Sequence, residues 1–374
     1  MTRVMTVVGT RPEIIRLSRV MSRLDRTVDH VLVHTGQNWD HSLSEVFFTD
    51  LRIRRPDRFL RVDTGSLARV FAGVLTGVEQ AITELHPDAL LVLGDTNSCI
   101  AALMARRMRV PVYHMEAGNR CFDLNVPEET NRRLVDHVAD FNLVYTEHAR
   151  RNLLAEGLHP RRILHTGSPM REVLDHYHED IRQSPILDQL GLTPNGYFVV
   201  SAHREENVDR PARLERLLDC LRAVRDEWRL PVLVSTHPRT RKRLEALAVD
   251  GTTLEGITFH DPFGFFEYVQ LQRHARCTLS DSGTISEECA ILNFPAVTLR
   301  ESIERPEALD AGGIIMTGLD PAGVLEAVRV AVDQCAEGGV PCPADYAVPD
   351  TSRRVVDYLL STVRRHHDWA GIRC

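Results

Sequence analysis

The strongest constraint on this chain is its alternation. Short apolar runs are each followed by a longer amphipathic segment, from the first residues to about residue 300. Val4–Val8, His30–His34, Ala89–Leu93, Val110–His114, Phe141–Tyr145 and Ile163–His165 read as strands. Helical periodicity fills the intervals near Pro12–Leu24, Ser66–Leu85, Ser98–Arg107, Pro127–Val138 and Glu147–Glu156. Apolar runs without internal polar alternation suit strands covered on both faces. Strand–helix alternation therefore predicts an α/β chain with parallel, doubly wound sheets.

The pattern pauses at Gly167-Ser168-Pro169, and a polar stretch runs to Asn195-Gly196. It then resumes with strands at Phe198–Ser201, Val232–Ser235, Ile257–His260, Cys277–Leu279 and Ala296–Leu299. Helices are predicted near Pro211–Glu227, Arg239–Leu247, Gly264–His274 and Ser286–Leu292. A length of 374 residues exceeds what one core organises, so two domains are expected. We place them at 1–168 and 169–351, with a C-terminal segment 352–374 whose helix, Ser352–Arg364, crosses back to the first domain.

Composition narrows the partners. A net charge of -7 argues against nucleic acid and against an anionic membrane surface. No run of apolar residues is long enough to span a bilayer. Of the eight cysteines none forms a C-x-x-C pair, which suits reduced thiols in a cytoplasm and gives no structural zinc signature.

In doubly wound sheets, ligands sit beyond the carboxyl ends of the strands, and the polar clusters of this chain fall at those positions. Gly9-Thr10-Arg11-Pro12-Glu13 follows the first strand. There Arg11, with Arg16 further along, suits an anion at a helix start, although a plain strand-to-helix turn needs the same residues. Asp95 in Leu93-Gly94-Asp95-Thr96 reads either as a pocket carboxylate or as a helix cap. Glu116 in His114-Met-Glu116-Ala-Gly118 ends another strand, and Glu128 opens the helix that carries Arg132. Acidic residues in a first turn often only complement the dipole. Three carboxylates gathered at neighbouring strand ends would instead supply acid/base groups. The pair His114/Glu116 also suits a metal, but no third ligand has convincing spacing.

The second half shows a different chemistry. His203 in Ser201-Ala-His203-Arg204-Glu205 and His237 in Ser235-Thr-His237-Pro238-Arg239 each end a strand beside an arginine. Ser280-Asp281-Ser282-Gly283-Thr284-Ile-Ser286-Glu287-Glu288 turns from strand to helix. That turn aims free N–H groups and a helix dipole at one spot, with Ser282 and Thr284 as hydroxyl donors and Glu288 one turn in. A capping box without any ligand uses the same residues. Arg300 and Glu304-Arg305-Pro306-Glu307 follow the next strand, positioned to close over a phosphate.

Taken together the segments resemble the non-hydrolysing UDP-N-acetylglucosamine 2-epimerase family. The resemblance rests on GTRPE at 9–13, TGQ at 35–37, GDT at 94–96, HMEAG at 114–118 and PEETNR at 127–132. It continues with AHREEN at 202–207, THP at 236–238, DSG at 281–283, EE at 287–288 and ERPE at 304–307. It implies a glycosyltransferase-B-like fold of two Rossmann-like domains with the active site between them. It also implies exchange of UDP-GlcNAc with UDP-ManNAc, no cofactor, no metal, and a homodimer. By motif, Asp95, Glu116, Glu128 and His203 are the implied catalytic residues. Arg11, Arg16, Arg132, His237, Tyr268, Ser282, Gly283, Thr284, Glu288 and Arg305 are the implied substrate-binding residues, with Tyr268 beside the uracil.

The chain departs from the family pattern at Arg16, where Lys is common, and at Thr284, where a second Gly is common. Asn38-Trp39-Asp40 follows Gln37 where activator-binding members have a His-Arg-Glu type of segment, which argues against allosteric activation. The run Asn119–Asp123, with Arg239–Lys242, resembles the branch acting on UDP-2-acetamido-2,6-dideoxy-L-talose. That substrate is the alternative to UDP-GlcNAc, and a hydrolysing epimerase or a glycosyltransferase of the same fold are further alternatives. The implied reaction begins with loss of UDP from carbon 1, which acidifies the hydrogen at carbon 2. A carboxylate then removes that proton, leaving a 2-acetamidoglucal and UDP, and proton return to the other face with re-addition of UDP gives the epimer.

Overall fold

The computed structural model describes residues 1–36, 48–246 and 253–372. The chain divides into two compact units, Met1–His176 with Asp345–Cys374, and Tyr177–Ala344.

The first unit is built on a seven-stranded sheet. Its strands are β1 (Arg3–Val8), β2 (Asp29–His34), β3 (Arg58–Phe59), β4 (Ala89–Leu93), β5 (Val112–Met115), β6 (Phe141–Val144) and β7 (Ile163–His165), in the order β3-β2-β1-β4-β5-β6-β7 with every pair parallel. Every residue of β4 is buried, which is why that strand reads as an unbroken apolar run. The order reverses direction between β1 and β4, so their carboxyl ends diverge into the crevice where doubly wound folds bind ligands. Val70, Val74, Val78 and Ile82 of the helix Leu67–Leu85 pack on one face of the sheet at helical spacing.

The first unit runs past the boundary at 168 expected from the sequence, because the helix Met170–His176 packs on the helix Arg11–Thr27. Its Glu172 accepts from the Ser352 backbone N–H at 2.7 Å, which ties the returning chain to the same unit. The C-terminal helix Thr351–Thr362 lies against Arg11–Thr27, where Arg23 Nε donates to Ser352 Oγ at 2.9 Å. At its far end Thr362 Oγ1 meets the Tyr113 hydroxyl at 2.7 Å.

The second unit repeats the plan. Its strands are β8 (Phe198–Ser201), β9 (Val232–Ser235), β10 (Thr253–Leu254), β11 (Ile257–His260), β12 (Cys277–Ser280), β13 (Ala296–Thr298) and β14 (Ile315–Met316), in the order β10-β11-β9-β8-β12-β13-β14. Only β10 with β11 is antiparallel. The reversal here lies between β8 and β12, so Ser201 and Ser280 mark its crevice. The segment read from the sequence as a polar stretch after 169 instead carries three short helices, Met170–His176, His178–Arg182 and Ile186–Gln189. Among the described residues no helix is long and apolar enough to cross a membrane, and all the described cysteines are free.

Candidate active site

The first unit gathers carboxylates at its crevice. Glu116 directly follows β5 and sits at φ 62, a conformation that side-chain-bearing residues seldom adopt. A buried network imposes it. Asp136 accepts from the Gly118 N–H, from His114 Nδ1 at 2.9 Å and from Arg120 at 2.7 Å. The other ring nitrogen of His114 meets the Gly94 carbonyl at 2.8 Å, which couples the β5 turn to the β4 turn. Gly118 has φ 81, and a Cβ there would stand 2.4 Å from the Ala149 carbonyl oxygen, so only glycine fits. Backbone strain of this kind persists where surrounding contacts over-determine it, typically at functional sites. Both ring nitrogens of His114 are thus engaged within the protein. His114 acts as a brace and leaves neither nitrogen open to the metal considered from the sequence. Among the described residues no cluster suits a metal ion.

Each of two carboxylates faces an arginine. Glu116 is paired with Arg16 from the helix Arg11–Thr27, and only 12% and 7% of the two side chains remain exposed. Asp95, just beyond β4, accepts from Arg132 at 2.7 Å. Asn131 from the same helix, Glu128–Val138, donates to the Asp95 carbonyl at 2.9 Å. The Glu116 carboxylate also lies over Gly94, within 3.6 Å of where a Cβ would stand. Arg16, expected from the sequence to face an anionic ligand, is therefore the counter-charge of Glu116. Arg132 plays the same part for Asp95.

Of the adjacent pair at the start of that helix, Glu128 is half-buried and Glu129 is fully buried. Burial pushes the Glu129 carboxyl up, but the Cys121 donors and the Arg132 and Arg133 guanidiniums outweigh it and hold it below the usual range. Glu129 is a structural tie, and Glu128 stands beside it at the first position of the helix Glu128–Val138. Arg11 is half-buried at the first position of its helix. Gln37 and Asn38-Trp39-Asp40 lie outside the described residues.

The second unit builds an anion cradle. Asp281, wholly buried after β12, accepts from the His203 N–H at 3.1 Å, the Arg204 N–H at 3.0 Å and Asn207 Nδ2 at 3.1 Å. It thereby fixes the turn that follows β8. The His203 and His237 rings stand side by side, their centroids 5.8 Å apart. Ser282 Oγ accepts from the Thr284 N–H at 3.3 Å and meets Thr284 Oγ1 at 2.9 Å, so both hydroxyls are ordered at the start of the helix Ile285–Leu292. A Cβ at Gly283 would lie 3.7 Å from Arg204, 3.9 Å from the Glu304 carboxylate and 4.0 Å from Arg305, so two guanidiniums and one carboxylate converge on that backbone.

Arg300 and Arg305 are almost fully buried, Arg300 against Glu304 and Glu206, Arg305 against Glu287 at 3.3 Å. Arg300 Nε makes no hydrogen bond within the described residues. Buried guanidiniums beside a helix N-terminus are a site for phosphate oxygens. Glu288, placed from the sequence near a ribose, accepts from Gln272 Nε2 at 2.7 Å. The Tyr268 ring packs on the core under β8. Its hydroxyl stands near Ser201 and Ser280, and burial pushes it up.

The residues missed from the sequence are the buried ties, namely Asp136, Arg120, Glu129 and Asp281. Glu129 at a helix start and Asp281 at a strand end left a signal, but a dipole complement and a buried brace look alike in one dimension; Asp136 near the end of its helix and Arg120 in the loop after β5 left none.

A model of the UDP-N-acetylglucosamine 2-epimerase family matches residues 22–360. A UDP-N-acetylglucosamine 2-epimerase structure from Rickettsia bellii is 43% identical and superposes with a TM-score of 0.90 over 98% of both chains. The Methanocaldococcus jannaschii UDP-GlcNAc 2-epimerase in complex with UDP-GlcNAc and UDP is 30% identical, with a TM-score of 0.90 over 96% of this chain and 100% of that one. A UDP-2,3-diacetamido-2,3-dideoxy-D-glucuronate 2-epimerase from Pseudomonas aeruginosa is 32% identical over 96% of this chain and 99% of its own length. Two doubly wound sheets, parallel but for β10, with strand-end carboxylates in one unit and an arginine-lined helix start in the other, agree with that match: the chain belongs to the UDP-N-acetylglucosamine 2-epimerase family.

Proposed function

We propose that this protein inverts carbon 2 of a UDP-2-acetamido sugar, converting UDP-GlcNAc to UDP-ManNAc without net hydrolysis. The observation that carries the reading is the division of chemistry between the two crevices. Asp95, Glu116 and Glu128 stand at strand and helix ends in the first unit, and the cationic cradle of Arg204, Arg300 and Arg305 stands in the second.

The hydrogen at carbon 2 is not acidic while carbon 1 carries its diphosphate. When the bond from carbon 1 to the diphosphate oxygen breaks, its electron pair leaves with UDP. Carbon 1 becomes electron-poor, and the neighbouring hydrogen becomes acidic. The three arginines and the positive end of the helix Ile285–Leu292 stabilise the departing charge. A carboxylate takes the proton, and the pair from the C–H bond closes the glucal double bond. Re-protonation from the opposite face and return of UDP to carbon 1 complete the inversion. The arginine beside each of Asp95 and Glu116 offsets the repulsion between neighbouring carboxylates. The likeness to a relative that acts on a diacetamido glucuronate supports a shared chemistry at carbon 2 across sugars differing elsewhere.

The test is product analysis. Incubation with UDP-GlcNAc, followed by phosphorus and proton NMR, is expected to show UDP-ManNAc growing to a constant ratio while free UDP stays at trace level. Steady accumulation of UDP with free N-acetylmannosamine would overturn the reading in favour of a hydrolysing enzyme.

A further inference from the structure

Glu13 is a carboxylate that the reaction above does not use. It is buried, 1% exposed, between the two turns that flank the first unit's crevice. Its Oε2 accepts from the Gly9 N–H at 2.9 Å, the Thr10 N–H at 2.7 Å and the Thr10 hydroxyl at 2.7 Å, all in the turn after β1. Its Oε1 accepts from the Ser98 hydroxyl, which belongs to the turn after β4. Ser98 Oγ in turn meets Thr96 Oγ1 at 2.8 Å. Thr96 is half-buried and adjoins Asp95. The chain Glu13–Ser98–Thr96 therefore runs from a buried charge to the lip of the crevice.

Each hydroxyl has one proton to give, and a carboxylate has none. Ser98 spends its proton on Glu13, so towards Thr96 it can only accept. Thr96 then spends its proton on Ser98, and its remaining lone pairs are all it can offer a ligand. Burial raises the Glu13 carboxyl, with the four donors opposing that rise only in part; it is the two N–H groups and two hydroxyls directed at its oxygens that make Glu13 an acceptor in this network. A ligand hydroxyl could turn to suit either polarity, but an amide N–H cannot.

We infer that Glu13 is a positioning residue that sets the direction of the Ser98–Thr96 hydrogen bonds, so that Thr96 accepts from the N–H of the sugar's 2-acetamido group. The inference rests on the epimerase reading. It adds a means by which the site selects an acetamido sugar at the carbon where the proton is exchanged.

Glu13→Gln isolates this role. The three donors of the β1 turn hold the amide oxygen where Oε2 was, so the new NH₂ faces Ser98 and donates to it. The shape stays and the polarity of the whole chain reverses. Melting temperature should stay within a few degrees of the wild type, while kcat/KM for epimerisation of UDP-GlcNAc falls by roughly tenfold or more. Thr96→Val should lose a similar factor, and Thr96→Ser should restore most of it. The decisive comparison is the double variant: Glu13→Gln should cost nothing further in the Thr96→Val background.

Ser98→Ala leaves the other bonds of Glu13 intact and covers the case in which Glu13→Gln does not fold. Its loss should likewise vanish in the Thr96→Val background. Full activity in Glu13→Gln, or losses that multiply in the double variants, would overturn the directional role while leaving the epimerase reading in place. A wild type that forms no epimer would overturn both.

Discussion

Replacing Glu116 with glutamine is expected to lower solvent-proton exchange at carbon 2 by about 10²–10⁴-fold, the usual range for losing a positioned acid or base. Glutamine fits the space but cannot carry the proton. The substitution also strands Arg16, a guanidinium only 7% exposed, without its counter-charge. Removing one partner of such a buried pair costs about 3–5 kcal/mol, so Tm should fall as well. The two effects separate in the double variant Arg16→Gln with Glu116→Gln, which removes the stranded charge. It should recover much of the lost Tm and none of the exchange. Recovery of both would mean that Glu116 serves the fold alone. UDP affinity should change little throughout, because the cradle belongs to the other unit.

The second large effect is expected at Asp281, which has no direct part in the proposed chemistry. Its buried carboxylate holds the backbone N–H groups of His203 and Arg204 and the side chain of Asn207. Asp281→Ala leaves the His203 and Arg204 N–H groups without this acceptor, at about 1–3 kcal/mol for each buried group left unsatisfied, while Asn207 Nδ2 keeps the Leu299 carbonyl. The turn after β8 then shifts, taking His203 from beside His237 and Arg204 from beside Gly283. Misplacement by about 1 Å can cost on the order of a hundredfold. Calorimetric titration with UDP should show a Kd weakened by roughly that factor. An unchanged Kd would assign phosphate binding to the helix start and to Arg300 and Arg305 without Arg204.

Both effects arise at residues whose partners lie far away along the chain, and such partners are the part of the molecule least legible in the sequence. The strands, by contrast, carry their own signal. β4, β7, β8, β9 and β11 coincide with their apolar runs; β4, β8 and β9 are buried along all or nearly all of their length, which leaves no polar alternation to blur the ends, whereas β11 alternates buried and half-buried residues. The helix Pro321–Gly338 is not among those expected from the sequence, although its signal is present. Asp320 caps it, Pro321 opens it, and Val324, Ala327 and Val328 are buried at helical spacing. The short strands β3, β10 and β14 have two residues each, too few for any periodicity.

At the site, the strand-end rule located Asp95, Glu116, His203 and the Ser282–Thr284 turn. It could not show that Arg16 and Arg132 would face carboxylates of their own chain. That pairing joins residues 100 and 37 positions apart, and spacing along the sequence carries no information at that range. Likewise Glu13 has the sequence context of a helix-capping glutamate. Only the approach of Ser98, from across the β1–β4 reversal, shows that it links two turns of the crevice.

In the mechanism proposed, a carboxylate exchanges the proton at carbon 2 of a UDP-sugar after the diphosphate has left carbon 1. The direct test is to incubate the wild-type protein with UDP-GlcNAc in heavy water and follow the carbon-2 proton by NMR. We predict one deuterium at carbon 2 in the UDP-ManNAc formed and, at equilibrium, in the recovered UDP-GlcNAc. Epimer that keeps its original hydrogen at carbon 2 would contradict the mechanism.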